Sequence, residues 1–314
     1  MTGKLMKAME VRKADKVSML VAVEIPEPQP QDNEVLIRIR AAGVTPTELG
    51  WYPTSHTEAG EPRTGAVPGH EFSGVVAAFG KSVSGFETGQ EVYGMNDWFV
   101  DGATAEFCLT EPGRIATKPV SLTHTAAATV PIGALTAWQG LLERARIRSG
   151  EQVLVHGGAG AVGVFAVRLA NLHGAYVIAT AASRDIDFVK RLGAGRVIDY
   201  QKSRFEDEIA GVDVVFDSVG GETLDRSWSV LKPGGRMITI ASGGSGSKDQ
   251  RVKDAFFIVE PRHEQLAAIA LLLDAGKLKT FANTVVPLEK AAMAYSGAAR
   301  ERALPGKVVV AVSS

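Results

Sequence analysis

The first part of the chain has the residue pattern of a β domain. From residue 4 to about residue 122, short runs rich in β-branched residues, such as 35–40 and 72–79, are separated by turns rich in proline and glycine. Runs of this length between such turns are typical of β-strands. We therefore predict that this part of the chain is all β.

A different pattern begins at about residue 123. The small, apolar segment 126–142 predicts a closely packed helix, and strand and helix patterns then alternate. Such alternation is joined by right-handed crossovers into a parallel, doubly wound sheet, so the predicted class is α/β. The predicted strands are 153–156, 176–181, 196–200, 212–217 and 236–241, and the predicted helices are 161–172, 185–192, 206–210, 222–231 and 264–275.

Two further segments complete the pattern. A glycine-rich loop is expected at 242–247, directly after the strand at 236–241. The last strand pattern, at 307–312, needs a sheet to join, so the tail is expected to rejoin the β domain.

The composition limits the class of partner. The 314 residues are 45% apolar, enough for two cores, and carry 34 basic and 35 acidic side chains, a formal net charge of -1. No net field attracts nucleic acid or an anionic membrane, so a small-molecule partner is expected. Cys108 is the single cysteine, which excludes an internal disulfide. Since neither an apolar leader nor a span of about 20 apolar residues is present, we expect a cytoplasmic location.

A glycine turn separates the first strand of the second part from its helix. Gly158, Gly160 and Gly163 fit the spacing GxGxxG, with Ala161 and Val162 before the last glycine. In a strand–turn–helix unit, such glycines permit a tight turn, let the backbone approach a pyrophosphate and let the helix pack closely, while the helix amides point at negative charge. Because the required βαβ context follows at once, we predict that this turn binds a dinucleotide.

The end of the second strand discriminates between two dinucleotides. NAD-selective proteins place an acidic residue there, about 20 residues after the turn, to bind the ribose 2′-hydroxyl. Here the strand is followed by Ser183 and Arg184, whose hydroxyl and guanidinium suit a 2′-phosphate. NADPH is therefore the predicted cofactor. Asp185 supports the opposite preference, although acidic residues are also common in the first turn of a helix.

Several separated motifs resemble, in the same order, the quinone oxidoreductase branch of the medium-chain dehydrogenase/reductase superfamily, the branch that lacks zinc. Besides the glycine turn, the resemblance rests on AAGV at 41–44, PGHEFSGVV at 68–76, RLGA at 191–194, DSVGG at 217–221 and GKVV at 306–309. It implies a GroES-like β domain for substrate, formed by 1–122 and 276–314, and a Rossmann NADPH-binding domain at 123–275. It also implies a homodimer.

The resemblance further implies roles for single residues in binding NADPH. Many relatives carry a lysine where this chain has Ile186, so Arg184 is expected to provide most of the phosphate recognition. The residues so implied are Thr136, Val219 and Ala241 at the nicotinamide, and Ser183, Arg184 and Tyr200 at the 2′-phosphate.

A catalytic zinc is not expected. Such a site needs about three protein ligands and an open position. By the resemblance, this chain keeps the pair His70-Glu71 but has Thr45 at the first cysteine position and Ile132, between Pro131 and Gly133, at the second. The missing ligands would have to come from elsewhere, such as Glu48 or His56.

Without a Lewis acid, the expected chemistry is hydride transfer to an acceptor that takes it readily, a quinone or the β-carbon of an enone. Thr45, Tyr52 and His70 are the candidate donors to the carbonyl oxygen, where negative charge develops. Each has an alternative: Thr45 as a turn hydroxyl, Tyr52 as a pocket wall or core cover, and His70 as a hydrogen-bond partner of Glu48 or Glu71. Water is an alternative proton donor.

Two other functions stay open. The chain could bind NADPH without catalysis, as a sensor or structural protein, or it could be a zinc-type alcohol dehydrogenase with unusual ligands. Tight NADPH binding without turnover would indicate the first, and metal analysis decides the second.

Overall fold

The computed structural model describes residues 4–14, 17–241, 246–301 and 305–312. Residues 242–245 of the expected glycine-rich loop lie outside the described residues. The chain divides into two compact units. The first unit comprises Met1–Ile132, Pro261–Gly276 and Thr280–Ser314, and the second comprises Gly133–Glu260 and Lys277–Lys279.

The order of elements follows the two predicted patterns. Within the described ranges, the strands are β1 Leu5–Ala14, β2 Val17–Pro26, β3 Val35–Gly43, β4 Glu71–Phe79, β5 Glu91–Met95, β6 Phe107–Thr110, β7 Ile115–Thr117, β8 Gln152–Val155, β9 Tyr176–Ala181, β10 Arg196–Asp199, β11 Val212–Asp217, β12 Leu231–Thr239, β13 Ala282–Pro287 and β14 Lys307–Ala311. The α-helices are α1 Tyr52–Ser55, α2 His124–Ala127, α3 Pro131–Trp138, α4 Gly163–Leu172, α5 Ile186–Leu192, α6 Phe205–Glu208, α7 Glu222–Ser227, α8 Gln250–Ala255, α9 His263–Asp274 and α10 Ala291–Tyr295.

The first unit is built on a mixed sheet with strand order β13-β14-β3-β4-β5-β7, to which β6 adds by pairing with β3. Strand β3 is buried along most of its length, and Val35, Ile37 and Ile39 point into the core. Strand β14 pairs antiparallel with β3, with Val309 opposite Gly43. The tail therefore rejoins the β domain, as predicted.

The second unit is a parallel sheet with strand order β10-β9-β8-β11-β12. The chain fills one side of β8 with β9 and β10, then returns to fill the other side with β11 and β12. This is the strand order of a doubly wound nucleotide-binding fold, whose ligands bind at the carboxyl ends of the strands beside the reversal. The predicted α/β class with a Rossmann sheet is confirmed.

The two units differ from the expected domain boundaries in three segments. Residues 277–279, expected in the first domain, belong to the second unit. Residues 123–132 and 261–275, expected in the second domain, belong to the first unit. The cause is packing between distant parts of the chain: Tyr93 donates to the carbonyl of Leu266 at 2.6 Å, and Asp274 accepts from the amide and hydroxyl of Ser121 at 2.9 and 2.7 Å.

The single helix expected at 126–142 is broken. Helix α2 ends at Ala127, α3 begins at Pro131, and Gln139–Arg144 forms a π-helical segment. Proline lacks an amide and disfavours helical backbone at the residue before it, so Pro131 starts a new helix and does not continue the first. None of the helices in the described part of the chain is long and apolar enough to cross a membrane.

Candidate functional site

The glycine turn lies between the end of β8 and the start of α4. A Cβ at Gly163 would overlap the carbonyl oxygen of Gly157, and a Cβ at Gly158 would lie 3.0 Å from the Cβ of Ala179 on β9. Gly160 differs, because its Cβ would meet only the Gly157 carbonyl oxygen, at 3.1 Å. Gly163 and Gly158 thus allow close packing, whereas a Cβ at Gly160 would have only that one close neighbour.

The backbone amides that lead into α4 have no hydrogen-bond partners among the described residues. The backbone amides of Ala161, Val162 and Gly163 donate to no other described residue, and Val162 provides no side-chain cap. Unpaired amides at the start of a ten-residue helix form an anion site, because they carry partial positive charge. The turn therefore fits a pyrophosphate, as a dinucleotide cofactor would require.

His156, beneath the glycine turn, is fully buried and satisfied. Its Nδ1 lies 3.2 Å from the hydroxyl of Thr180, and its Nε2 lies 2.9 Å from that of Ser227. Burial lowers the pKa of His156 to about 4, against the opposing charge of Asp217. Both ring nitrogens of His156 thus have hydrogen-bond partners inside the second unit.

The predicted 2′-phosphate residues lie on the surface at the carboxyl ends of β9 and β10. Arg184 is exposed and lies 3.6 Å from Asp185, and Tyr200 is 61% exposed. Ser183 is exposed as well, but its hydroxyl donates to the Oδ2 of Asp199 at 2.5 Å. In this structure the Ser183 hydroxyl is therefore engaged by Asp199, and its role at a 2′-phosphate stays a prediction.

Two further loops follow β11 and β12. The carboxylate of Asp217 accepts from the amides of Val219 and Gly220 at 3.0–3.1 Å, and a Cβ at Gly220 would lie 2.5 Å from the Cβ of Ala241. The structure therefore places Ala241 beside Gly220, the residue that follows Val219. Thr136, the other predicted nicotinamide residue, is buried on α3.

In the first unit, His70 is held by a buried carboxylate. Its Nδ1 lies 2.7 Å from the Oε2 of Glu48, and both side chains are almost fully buried. Because a carboxylate only accepts, Nδ1 carries a proton and Nε2 is left for another partner. Nε2 is buried without a hydrogen-bond partner among the described residues. The ring of Trp98 lies 5.2 Å from that of His70, and Trp51 packs on Trp98 at 5.1 Å.

Glu71 has a different partner. It forms a buried ion pair with Lys307 of β14, and its other oxygen accepts from the amide of Ile132 at 3.1 Å. Burial raises the pKa of Glu71, although Lys307 opposes the shift. The sequence left Glu48 and Glu71 open as hydrogen-bond partners of His70. In the structure the partner is Glu48, whereas Glu71 pairs with Lys307 on β14.

The other two candidate donors have distinct surroundings. Thr45 precedes a short 3₁₀-helix, but its hydroxyl does not cap that helix and bonds no described residue. Tyr52 is half exposed and stacks on His56, with ring centroids 4.3 Å apart. Within the described residues, no hydrogen bond, ion pair or ring contact joins either residue to His70, so their catalytic roles stay predictions.

The donor set does not suggest a complete metal site. Among the described ranges, no three His, Cys, Asp or Glu side chains cluster closely enough to hold a metal ion. Glu48 is engaged by His70, and the Nδ1 of His56 lies 2.9 Å from the hydroxyl of Ser55. The expected absence of zinc nevertheless stays a prediction.

Three residues of the site were not found from the sequence. Asp199 and Lys307 each lie more than ten residues from their partners, Ser183 and Glu71, and only strand pairing brings them together. The third is Trp98. Lys307 lies in a motif that supported the resemblance, which was the one available signal.

Comparisons with known proteins agree with this architecture. A family model described as "Alcohol dehydrogenase GroES-like domain" matches residues 31–139, and one described as "Zinc-binding dehydrogenase" matches residues 192–310. The chain is 31% identical to the quinone oxidoreductase of Rattus norvegicus, with 98% of each chain covered. It is 35% identical to the 2-methylene-furan-3-one reductase of Solanum lycopersicum, covering 90% of this chain and 73% of the relative.

A solved structure has the same fold over almost the whole chain. The quinone oxidoreductase of Coxiella burnetii superposes with a TM-score of 0.87 at 29% identity, covering 99% of this chain and 100% of that structure. A GroES-like β domain together with a Rossmann domain defines an oxidoreductase of the class that uses NAD(P)H. The chain belongs to the quinone oxidoreductase branch of the medium-chain dehydrogenase/reductase superfamily.

Proposed function

We propose that the protein is an NADPH-dependent reductase that transfers a hydride to a quinone or an α,β-unsaturated carbonyl without zinc. The observation that carries the proposal is the glycine turn, where the amides of Ala161, Val162 and Gly163 lead into α4 and donate to no other described residue. Relatives named for quinone reduction and for reduction of an exocyclic enone support the two acceptor classes.

The choice of NADPH rests on Arg184, and the choice of a zinc-free reaction rests on the surroundings of His70. Arg184 is exposed at the end of β9, where its guanidinium can turn toward a 2′-phosphate. Glu71, the acidic neighbour of His70 in sequence, is already neutralised by Lys307. The carboxylate of Glu71 would thus not be available as a ligand for a metal bound at His70.

His70 is the proposed proton donor. NADPH held at the glycine turn would supply a hydride for the β-carbon of the acceptor, and negative charge would then develop on the carbonyl oxygen. Glu48 accepts from Nδ1 and fixes the orientation of the ring, and His70 in its imidazolium form can donate Nε2–H to that oxygen. Trp98 packs beside the ring and limits its rotation.

A variant at His70 tests this role. We expect His70→Asn to lower kcat/KM for an enone by about a hundredfold, the size of a typical general-acid contribution, while the dissociation constant of NADPH stays unchanged. An unchanged kcat/KM would assign proton delivery to water and remove His70 from the mechanism.

The reaction class is tested with three substrates side by side. NADPH oxidation is measured with 1,4-benzoquinone and a 2-alkenal, and NADP⁺ reduction with a secondary alcohol, before and after treatment with a chelator. We expect activity with the first two that survives the chelator. Activity confined to the alcohol and restored by zinc would identify an alcohol dehydrogenase. Tight NADPH binding without any turnover would identify a non-enzymatic binding protein.

A homodimer is part of the proposal. Strand β12 ends the parallel sheet, a single bridge joins its Thr239 to Phe256, and Ile258 nearby is 58% exposed. A second copy would cover this apolar side chain and extend the sheet. Light scattering on the purified chain should give twice the mass of one chain, and Ile258→Glu should lower it to that of one.

A further inference from the structure

We infer that Asp199 determines cofactor specificity by opposing the 2′-phosphate of NADPH, so that NADH remains a competitive cofactor. The inference rests on the proposed function, since it concerns the same dinucleotide site. Asp199 ends β10, and only 9% of its surface is exposed. It was not among the residues expected from the sequence.

Contact with Ser183 brings the carboxylate to the predicted phosphate site. The Ser183 hydroxyl donates to Asp199 Oδ2 at 2.5 Å, and the amide of Gln201 donates to Oδ1 at 3.1 Å. The Ser183 hydroxyl, the largest cause, and the Gln201 amide lower the pKa of Asp199. The carboxylate is therefore ionised at neutral pH.

This arrangement changes what Ser183 can recognise. A hydroxyl has one proton, and here Asp199 accepts it. Ser183 Oγ can then accept from a ribose 2′-hydroxyl, but it has no proton left for a phosphate oxygen. A doubly charged phosphate at this position would also face the carboxylate of Asp199, with repulsion between like charges.

Lys202 offsets this repulsion. Its ammonium lies 3.5 Å from Asp199 Oδ2, and its side chain is 74% exposed. Together with Arg184, Lys202 provides the positive charge that a 2′-phosphate needs. Recognition of NADPH is thus a balance between two cations and one carboxylate, and recognition of NADH needs only the Ser183–Asp199 pair.

The balance is measured by fluorescence titration of NADPH and NADH, without any acceptor. Asp199→Asn keeps an oxygen for the Ser183 proton but removes the charge, so the ratio of the NADH to the NADPH dissociation constant should rise by about tenfold. The matched control is Asp213→Asn, whose carboxylate also accepts from an amide, that of Gln152, and pairs with Lys232, at the start of β11. This control should leave the ratio unchanged.

A second variant keeps the inference testable if Asp199→Asn does not fold. Lys202→Met, on an exposed side chain, should weaken NADPH binding about tenfold and leave NADH binding unchanged, because Asp199 is then unopposed. If the ratio of the NADH to the NADPH dissociation constant stays within twofold of the wild type in the folded variants, the inference is overturned but the proposed function is not. Failure of the wild type to bind either dinucleotide overturns the proposed function and the inference with it.

Discussion

The buried pair of Glu71 and Lys307 fastens the last strand to the first unit. Lys307→Met would leave the carboxylate of Glu71 buried without its cation, which typically costs about 3–5 kcal/mol. We expect the free energy of unfolding in urea to fall by that amount. The double variant Glu71→Gln/Lys307→Met removes both charges and should recover most of the loss. A single variant as stable as the wild type would contradict the importance of this pair.

His156 makes stability depend on pH. Its pKa is lowered from 6.5 to about 4 in the folded chain, so below pH 6.5 the unfolded chain binds a proton that the folded chain does not. Stability should therefore fall as the pH decreases from about 6.5 to about 4, by about 3 kcal/mol from this group. Urea unfolding at several pH values measures the slope. His156→Gln should flatten it, and an equal slope in that variant would assign the dependence to other groups.

At the scale of elements, the glycine turn separates packing from binding. Gly163→Ala should lower the Tm, because its Cβ would collide with the Gly157 carbonyl. Gly160→Ala should leave the Tm nearly unchanged, since its Cβ would have only one close neighbour. It should raise the NADPH dissociation constant about tenfold, because the second glycine of this motif lets the backbone approach the pyrophosphate. Thermal unfolding and fluorescence titration check both. Equal effects of the two variants on the Tm would contradict the assignment.

Local sequence patterns predicted the elements correctly where the residue periodicity and the glycine spacing indicate the same structure. Alternating strands and helices, with Gly158, Gly160 and Gly163 between β8 and α4, were sufficient for the parallel sheet and the anion site. The helix at 126–142 was predicted too long, because apolar periodicity was given more weight than the restriction that Pro131 imposes on its neighbour. That signal was present in the sequence.

Contacts between distant segments could not be predicted in the same way. The placement of α9 in the first unit depends on Tyr93 reaching the carbonyl of Leu266, and no local pattern encodes that pairing. The same holds for Ser183 and Asp199, whose contact depends on the register of β9 and β10. Ser183 and Arg184 could be predicted as 2′-phosphate residues from the sequence, but no local pattern indicated the carboxylate of Asp199 beside Ser183.

At the scale of the whole molecule, the central claim is that NADPH bound by this chain gives its hydride to an activated acceptor. NADPH deuterated at the reactive C4 position is incubated with the protein and a 2-alkenal, and the product is analysed by mass spectrometry and NMR. We expect one deuterium at the β-carbon of the saturated product, and about tenfold less product from Gly160→Ala at low cofactor concentration. Oxidation of NADPH without deuterium in the product, or no saturated product at all, would contradict it.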